Sequence, residues 1–173
     1  MSGRSQNTLW KTAIHEAAHA VTAFIEHIPF RTVTIRPGAD TLGHVLFKKW
    51  PAWANPESNK YDPRRARWWF EGRTRVSLAG QIAERRYAGR RPARYSHSQD
   101  DDNAVSYAEK TCGSAEECSA WLNLLFIQTR NLLELPHIWR AVEALADELM
   151  KLETISEPAA KVIIRAAIVQ EAA

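Results

Sequence analysis

No apolar run in this chain approaches the roughly 18 residues that a membrane-spanning helix needs, so a spanning segment is excluded. No continuous apolar stretch precedes the first charged helix, so a secretory signal is not expected. Cysteine is scarce: Cys112 and Cys118 stand six apart without a second pair. That spacing is neither a zinc ribbon nor a disulfide framework, and it implies reduced thiols in a cytoplasmic protein. Internal repeats and low-complexity segments are also absent. What remains is the composition of an ordinary soluble globular protein, 45% hydrophobic and 25% charged. Its 173 residues suit one compact domain spanning residues 1–173, long enough to bury a real core.

A net charge of +3 conceals a division. Residues 1–94 hold 17 Lys and Arg against 7 Asp and Glu, whereas residues 95–173 hold 6 against 13. A basic half can attract nucleic acid or acidic partners, or it can pair with the acidic half of the same molecule. The second reading is preferred. Seven tryptophans are many for this length. Trp68 and Trp69 sit in "DPRRARWWFEGRTR", where arginines and aromatics interleave in a way that can stack on nucleic acid. An amphipathic helix with Trp and Phe inward and Arg outward explains the same stretch and is preferred. Trp50 and Trp53, in a proline-rich segment, are candidates for a partner-docking surface.

Helical periodicity is first strong from about Thr8 to Ile28, where Pro29 stops it. "RTVTIRPGADTLGHVLF" follows, with β-branched residues through Val33 and Ile35 and a turn at Pro37-Gly38 before a second extended run to Phe47. Two antiparallel strands are expected there. Residues 48–63 contain three prolines and read as loop. Helices are expected from about Arg64 to Gly89, from the acidic start "DDDNAVSYAEK", over 115–133 and 137–152, and from about Glu157 to Val169. The expected fold is mainly α (α+β), a helical domain with a small antiparallel sheet.

The first helix carries "IHEAAHAV". Four residues turn a helix by about 400°, so His15 and His19 share one face and can converge on one tetrahedral ion. Glu16 lies about 100° round from His15, within reach of a water that zinc would acidify but not of the metal. This is the HExxH arrangement of zinc peptidases. The competing account is a core helix with two satisfied histidines. The apolar neighbours Ile14, Ala17, Ala18, Ala20 and Val21 favour a metal, because they would otherwise bury two imidazoles without partners. A third ligand is required. Ile25 occupies the position where metzincins carry their third histidine, which excludes that form. Glu84, His97 and the run Asp100, Asp101, Asp102 are the candidates.

Five segments in order resemble the peptidase domain of the FtsH family of ATP-dependent zinc proteases. "HEAAHAV" is similar to that family's HEAGHAV, and "VTIRPGADTLGHV" to its strand segment leading to ALGYT. "LAGQIAERRYAG" resembles its LGGRAAEE helix at Leu78, Gly80, Ala83, Glu84 and Gly89. "SQDDDNAVSYA" is similar to its helix opening with an ND pair, and "VEALADELMKLETISEPAAKVII" to its closing helices. The likeness covers about Leu9 to Ile164 and is far more specific than HExxH alone.

The resemblance implies a Zn2+ metalloendopeptidase in which His15, His19 and Asp100 hold the ion and Glu16 is the general base. Asp100 follows from keeping Ala104 and Ala108 in register with the family's alanines; a slip of one residue would promote Asp101. It also implies that Glu84 orients a histidine, or instead pairs with a nearby arginine. Thr41, Leu42, Gly43 and His44 match the edge strand on which such proteases lay an extended polypeptide substrate. His44 stands where the family has tyrosine and faces either the cleft or solvent. Ala18 replaces the usual glycine, and "TCGSAEEC" stands in place of the family's GMS segment. No GxxxxGK[ST] phosphate loop is present, so the family's unfolding motor is not on this chain. The expected substrates are unfolded or small polypeptides, with an AAA+ ATPase partner in trans as the alternative. Family peptidase domains form rings, which leaves a homo-oligomer open. The rival function class is a non-catalytic zinc-fold regulatory or nucleic-acid-binding module.

Overall fold

A computed structural model describes residues 6–38, 42–90 and 98–169. It is mainly helical, with six helices and a small sheet among the described residues: α1 (Gln6–Ile25), β1 (Phe30–Thr34), β2 (His44–Phe47), α2 (Pro63–Tyr87), α3 (Gln99–Glu109), α4 (Ala115–Glu134), α5 (Pro136–Leu152), β3 (Thr154–Ser156) and α6 (Glu157–Val169). None of these helices is long and apolar enough to cross a membrane.

α1 is the centre of the molecule. From Thr12 to Ala23 every residue but His15 is buried, and five of the twelve are alanine. A helix buried on all sides belongs inside a core, and small side chains let α2, α5 and β1 approach it closely. Pro29 was expected to carry the helix to Ile28, but α1 ends at Ile25. His27 adopts φ 56°, the Ile28 N–H reaches back to the Ala23 carbonyl, and the His27 N–H reaches the Phe24 carbonyl. This pair of bonds is a Schellman closure made without its usual glycine, which is why no sequence signal marked it.

The remaining helix ends follow local chemistry. Asp62 accepts from the Arg64 and Arg65 amides and Pro63 opens α2. Ser98 and Asp101 form a reciprocal capping box at the start of α3. Ser114 caps α4, and Pro136 opens α5 directly after it. The expected loop over 48–63 contains one short 3-10 turn, Ala52–Ala54.

The sheet runs β2-β1-β3, all antiparallel, with Val33 opposite both Val45 and Ile155. The first two strands were expected; β3 was not. It has three residues, of which only Ile155 is buried, too short a pattern to read. It is held by the Thr34 hydroxyl, which contacts the Thr154 hydroxyl at 2.6 Å and donates to the Glu153 carbonyl. β1 is thereby enclosed on both sides, and the outer edge of β2 is left beside α1.

The tryptophan expectations are corrected in part. Trp50 and Trp53 are half-buried, not a docking surface: Trp50 meets Phe70 edge-on at 5.5 Å, and Trp53 meets Trp69 at 5.8 Å. In α2, Trp69 and Phe70 point inward as expected, but Trp68 is exposed and Arg73 is buried. A helix of this length packs on α1, α3 and α4 around most of its circumference, so no single inward stripe survives. Between the charge halves, Arg36 pairs with Glu153 and Lys48 with Glu157.

Glu157 also meets Lys161 and is largely buried. Burial alone would raise its carboxyl, but Lys161 and Lys48 outweigh it and hold it below its ordinary value of 4.5. A depressed carboxylate contributes stability that is present above its unfolded value and lost as the pH falls through the folded one. Lys48→Ala is therefore expected to lower the melting temperature at neutral pH and to leave it nearly unchanged near pH ~3. Thermal melts at both values check this.

Candidate metal centre and cleft

α1 presents His15 and His19 one turn apart, with rings 4.6 Å apart at 77°. α2 crosses against that face at Gly80. A Cβ built there would lie 2.5 Å from the Nε2 of both histidines, so only glycine lets the two helices meet over the rings. α3 delivers Asp100 from its first turn. Its Oδ2 stands 3.1 Å from His15 Nε2 and 3.2 Å from His19 Nε2, and the two nitrogens are 2.9 Å apart.

The other nitrogen of each ring is committed. His19 Nδ1 donates to the Val76 carbonyl at 2.6 Å, and a carbonyl can only accept. His15 Nδ1 donates to Glu84 Oε1 at 2.9 Å, while Glu84 Oε2 pairs with Lys11 at 2.8 Å. In a neutral ring whose Nδ1 holds the proton, Nε2 is a bare lone pair. Two such lone pairs and one carboxylate oxygen thus face each other at 2.9 to 3.2 Å. Three acceptors at that range repel unless a cation lies among them.

A proton can play that part. Burial disfavours a charged His15, but the bonds to Asp100 and Glu84 prevail and raise its pKa to about 10. Burial likewise pushes Asp100 up, and His19 and His15 outweigh it and hold the carboxyl well below the usual range. A metal ion plays the part better, because it satisfies all three donors at once. Tetrahedral zinc keeps its N and O ligands roughly 3.3 Å apart, close to the separations seen. Each histidine with its second nitrogen bonded to a carbonyl or carboxylate is also the usual outer arrangement of metal sites. Among the described residues these three form the one such group able to hold a metal.

The third-ligand alternatives are separated by this geometry. Asp100 faces the histidines, and Asp101 turns back to the Ser98 amide in the capping box. Glu84 touches His15 and pairs with a lysine, not with the arginine that was one expectation. His97 and Thr41 lie outside the described residues.

Beside the donors opens a cavity of about 420 Å3 lined by α1, α2, α3 and β2. Leu42, Gly43 and His44 all line it. Gly43 is pressed against Glu16: a Cβ there would lie 2.9 Å from Glu16 Cγ and 2.8 Å from the Thr34 carbonyl oxygen. Glu16 is 6% exposed and borders the same cavity. Burial pushes its carboxyl above the ordinary value, against the pull of His19 and His15. A buried carboxylate with a raised affinity for protons, next to three convergent acceptors and an open cleft, can take and return a proton.

Four participants were missed by sequence reasoning. Lys11 stands one turn before His15 and was findable by spacing. Gly80 was noted only as a match, and its contact with the rings needs the helix crossing. The Val76 carbonyl leaves no trace in a side-chain pattern. Arg73 was read as outward-facing, yet it lines the cleft. No protein-family model matches the chain, and no curated protein matches it.

Gly80→Ala is expected to leave the helices in place and abolish metal binding, since its methyl falls on the two Nε2 atoms. Zinc stoichiometry by elemental analysis, beside circular dichroism, checks this. Asp100→Asn should likewise release the metal, whereas Asp101→Ala should keep it and lower stability by ~1 kcal/mol through the lost capping-box bond to the Ser98 amide. The same two measurements, with urea melts, separate the pair.

Proposed function

We propose that this protein is a zinc-dependent metalloendopeptidase that hydrolyses peptide bonds of unfolded or flexible polypeptides. The observation that carries this reading is the set of three acceptors, His15 Nε2, His19 Nε2 and Asp100 Oδ2, converging with both Nδ1 protons already used. A half-buried cluster of that kind invites a cation, and its position beside Glu16 and an open cleft gives the cation work to do. The likeness to FtsH-type peptidase domains, carried by the quoted segments, supports the same choice.

His15, His19 and Asp100 would hold zinc, which supplies Lewis acidity, polarising a carbonyl and acidifying water. Glu16, with its carboxyl raised by burial, accepts the proton of the attacking water and passes it to the leaving amine. Glu84, anchored by Lys11, holds the His15 ring and the Val76 carbonyl holds that of His19. β2 (His44–Phe47) is an edge strand of the sheet and lines the cavity, so its outer side can take an extended chain. Pairing through main-chain groups tolerates many sequences, which suits substrates without structure. An ATPase acting in trans, and a ring of several copies, belong to this reading as partners to be sought.

The test is cleavage of unfolded fluorescent casein by the zinc-loaded protein beside Glu16→Gln. The wild type should cleave without ATP, and the variant should retain stoichiometric zinc while losing about 100-fold or more in rate. Zinc retained by both with cleavage by neither would favour the non-catalytic zinc-fold module, or a partner ATPase. Equal cleavage by both would sink Glu16 as the base.

A further inference from the structure

Arg73 is a buried cation that lines the cleft. It is 8% exposed, and no ion pair joins it to a carboxylate among the described residues. Its Nε and Nη2 both donate to the Tyr107 hydroxyl, at 3.3 and 2.8 Å. Its guanidinium lies 3.8 Å from the centre of the Phe47 ring and 5.3 Å from that of Tyr107. These contacts fix the plane of the group without neutralising it. A guanidinium has five N–H donors in a rigid fork, so three remain after the two bonds to Tyr107. No Arg73 nitrogen is among the described interior atoms left sealed without a partner, and the residue lines the same cavity as the metal donors. The remaining donors open to the cleft.

Position along the helix sets the distance. Arg73, Ser77 and Gly80 follow one face of α2, at steps of four and three, and Gly80 touches both histidine rings. Seven residues of helix span about 10 Å. Along β2 the same interval runs from Gly43, against Glu16, to Phe47, under Arg73. An extended chain rises about 3.3 Å per residue, so a group at Arg73 belongs about three residues from the scissile bond.

We propose that Arg73 is a specificity-determining residue that binds a carboxylate of the substrate, so that the cleft selects acidic peptides. Burying a cation without a counter-charge is costly, and an oriented fork with free donors is the arrangement that carboxylates match. Asn103, one turn before Tyr107 on α3, also lines the cleft and supplies a further polar group. Two sources share this chemistry: an Asp or Glu side chain, and the carboxylate at the end of a polypeptide. The proposal rests on the peptidase reading for its substrate class, but binding can be tested apart from turnover.

Full-length zinc-loaded protein carrying Glu16→Gln would be titrated calorimetrically with unstructured peptides of roughly ten residues. One set has a single glutamate scanned through the positions and an amidated end. Another has glutamine throughout and an amidated end, and a third has glutamine with a free C-terminal carboxylate. At least one carboxylate-bearing arm is expected to bind on the order of ten- to a hundred-fold more tightly than the neutral peptide, with the preference weakening as salt rises. Which arm wins identifies the source. Adding Arg73→Gln should erase the preference, and Arg73→Lys should retain part of it because the charge stays while the fork is lost. Equal affinity in all three arms, no measurable binding in any, or a preference that survives Arg73→Gln would each overturn the assignment. The peptide comparison in the unsubstituted Arg73 background decides the question even where those variants fail to fold. Casein cleavage without charge preference would remove this inference alone; charge-selective binding without cleavage would remove the peptidase reading alone.

Discussion

Each histidine ring has two nitrogens, and the arrangement of this molecule depends on which one is left free. The Val76 carbonyl and the Glu84 carboxylate take the Nδ1 proton of His19 and His15, and so both Nε2 lone pairs turn toward Asp100. Everything else serves that orientation. α1 must be sunk in the core to hold its rings still, and its run of alanines lets neighbours approach. α2 must cross at a glycine, because any side chain would occupy the space in front of the rings. α3 must begin at Ser98 with a tight cap, so that its first-turn carboxylates fall in a fixed order, with Asp101 turned back to the cap and Asp100 set against the histidines. The polar cluster is thus a product of the apolar packing around it.

Much of this could be read from residue order. All six helices announced themselves through apolar periodicity and acidic or proline starts close to where they stand, and the first two strands through alternating β-branched residues. His15, Glu16 and His19 came from spacing alone, since four residues make one helical turn. Asp100 came from register with a family likeness, and its geometry with the histidines is what that register implied. The Ile25 terminus, β3 and the inward turn of Arg73 were hidden for different reasons. A helix closed by His27 carries no glycine signal, and three residues with one buried side chain carry no period. An arginine flanked by arginines looks solvated until the fold puts Tyr107 and Phe47 around it. Sequence patterns report which face of an element is apolar. They do not report which polar side chain a neighbouring element has chosen to enclose.

The two halves of the charge distribution meet in the same way. Few pairs cross between them, and the acidic half contributes most sharply through a single residue, Asp100, brought against the two histidines. A metal bound there would join residues 15 and 100 of the chain, tying α3 to α1 in addition to its packing on α2 and α4. Binding free energy at such a site is also folding free energy, because the unfolded chain does not bring those donors together.

The contact between Gly43 and Glu16 has a consequence for the sheet. A strand can in principle slide along its neighbour by one residue, exchanging its two faces, and a four-residue strand with alternating half-exposed side chains offers little hydrophobic resistance. Here a slip would bring Leu42 or His44 to the place of Gly43, where a Cβ would lie only 2.8 to 3.0 Å from the Thr34 carbonyl oxygen, Glu16 and Thr12. The crowding beside Glu16 therefore also keeps β2 in step with β1. Strand alignment and the position of the cleft wall are one steric fact.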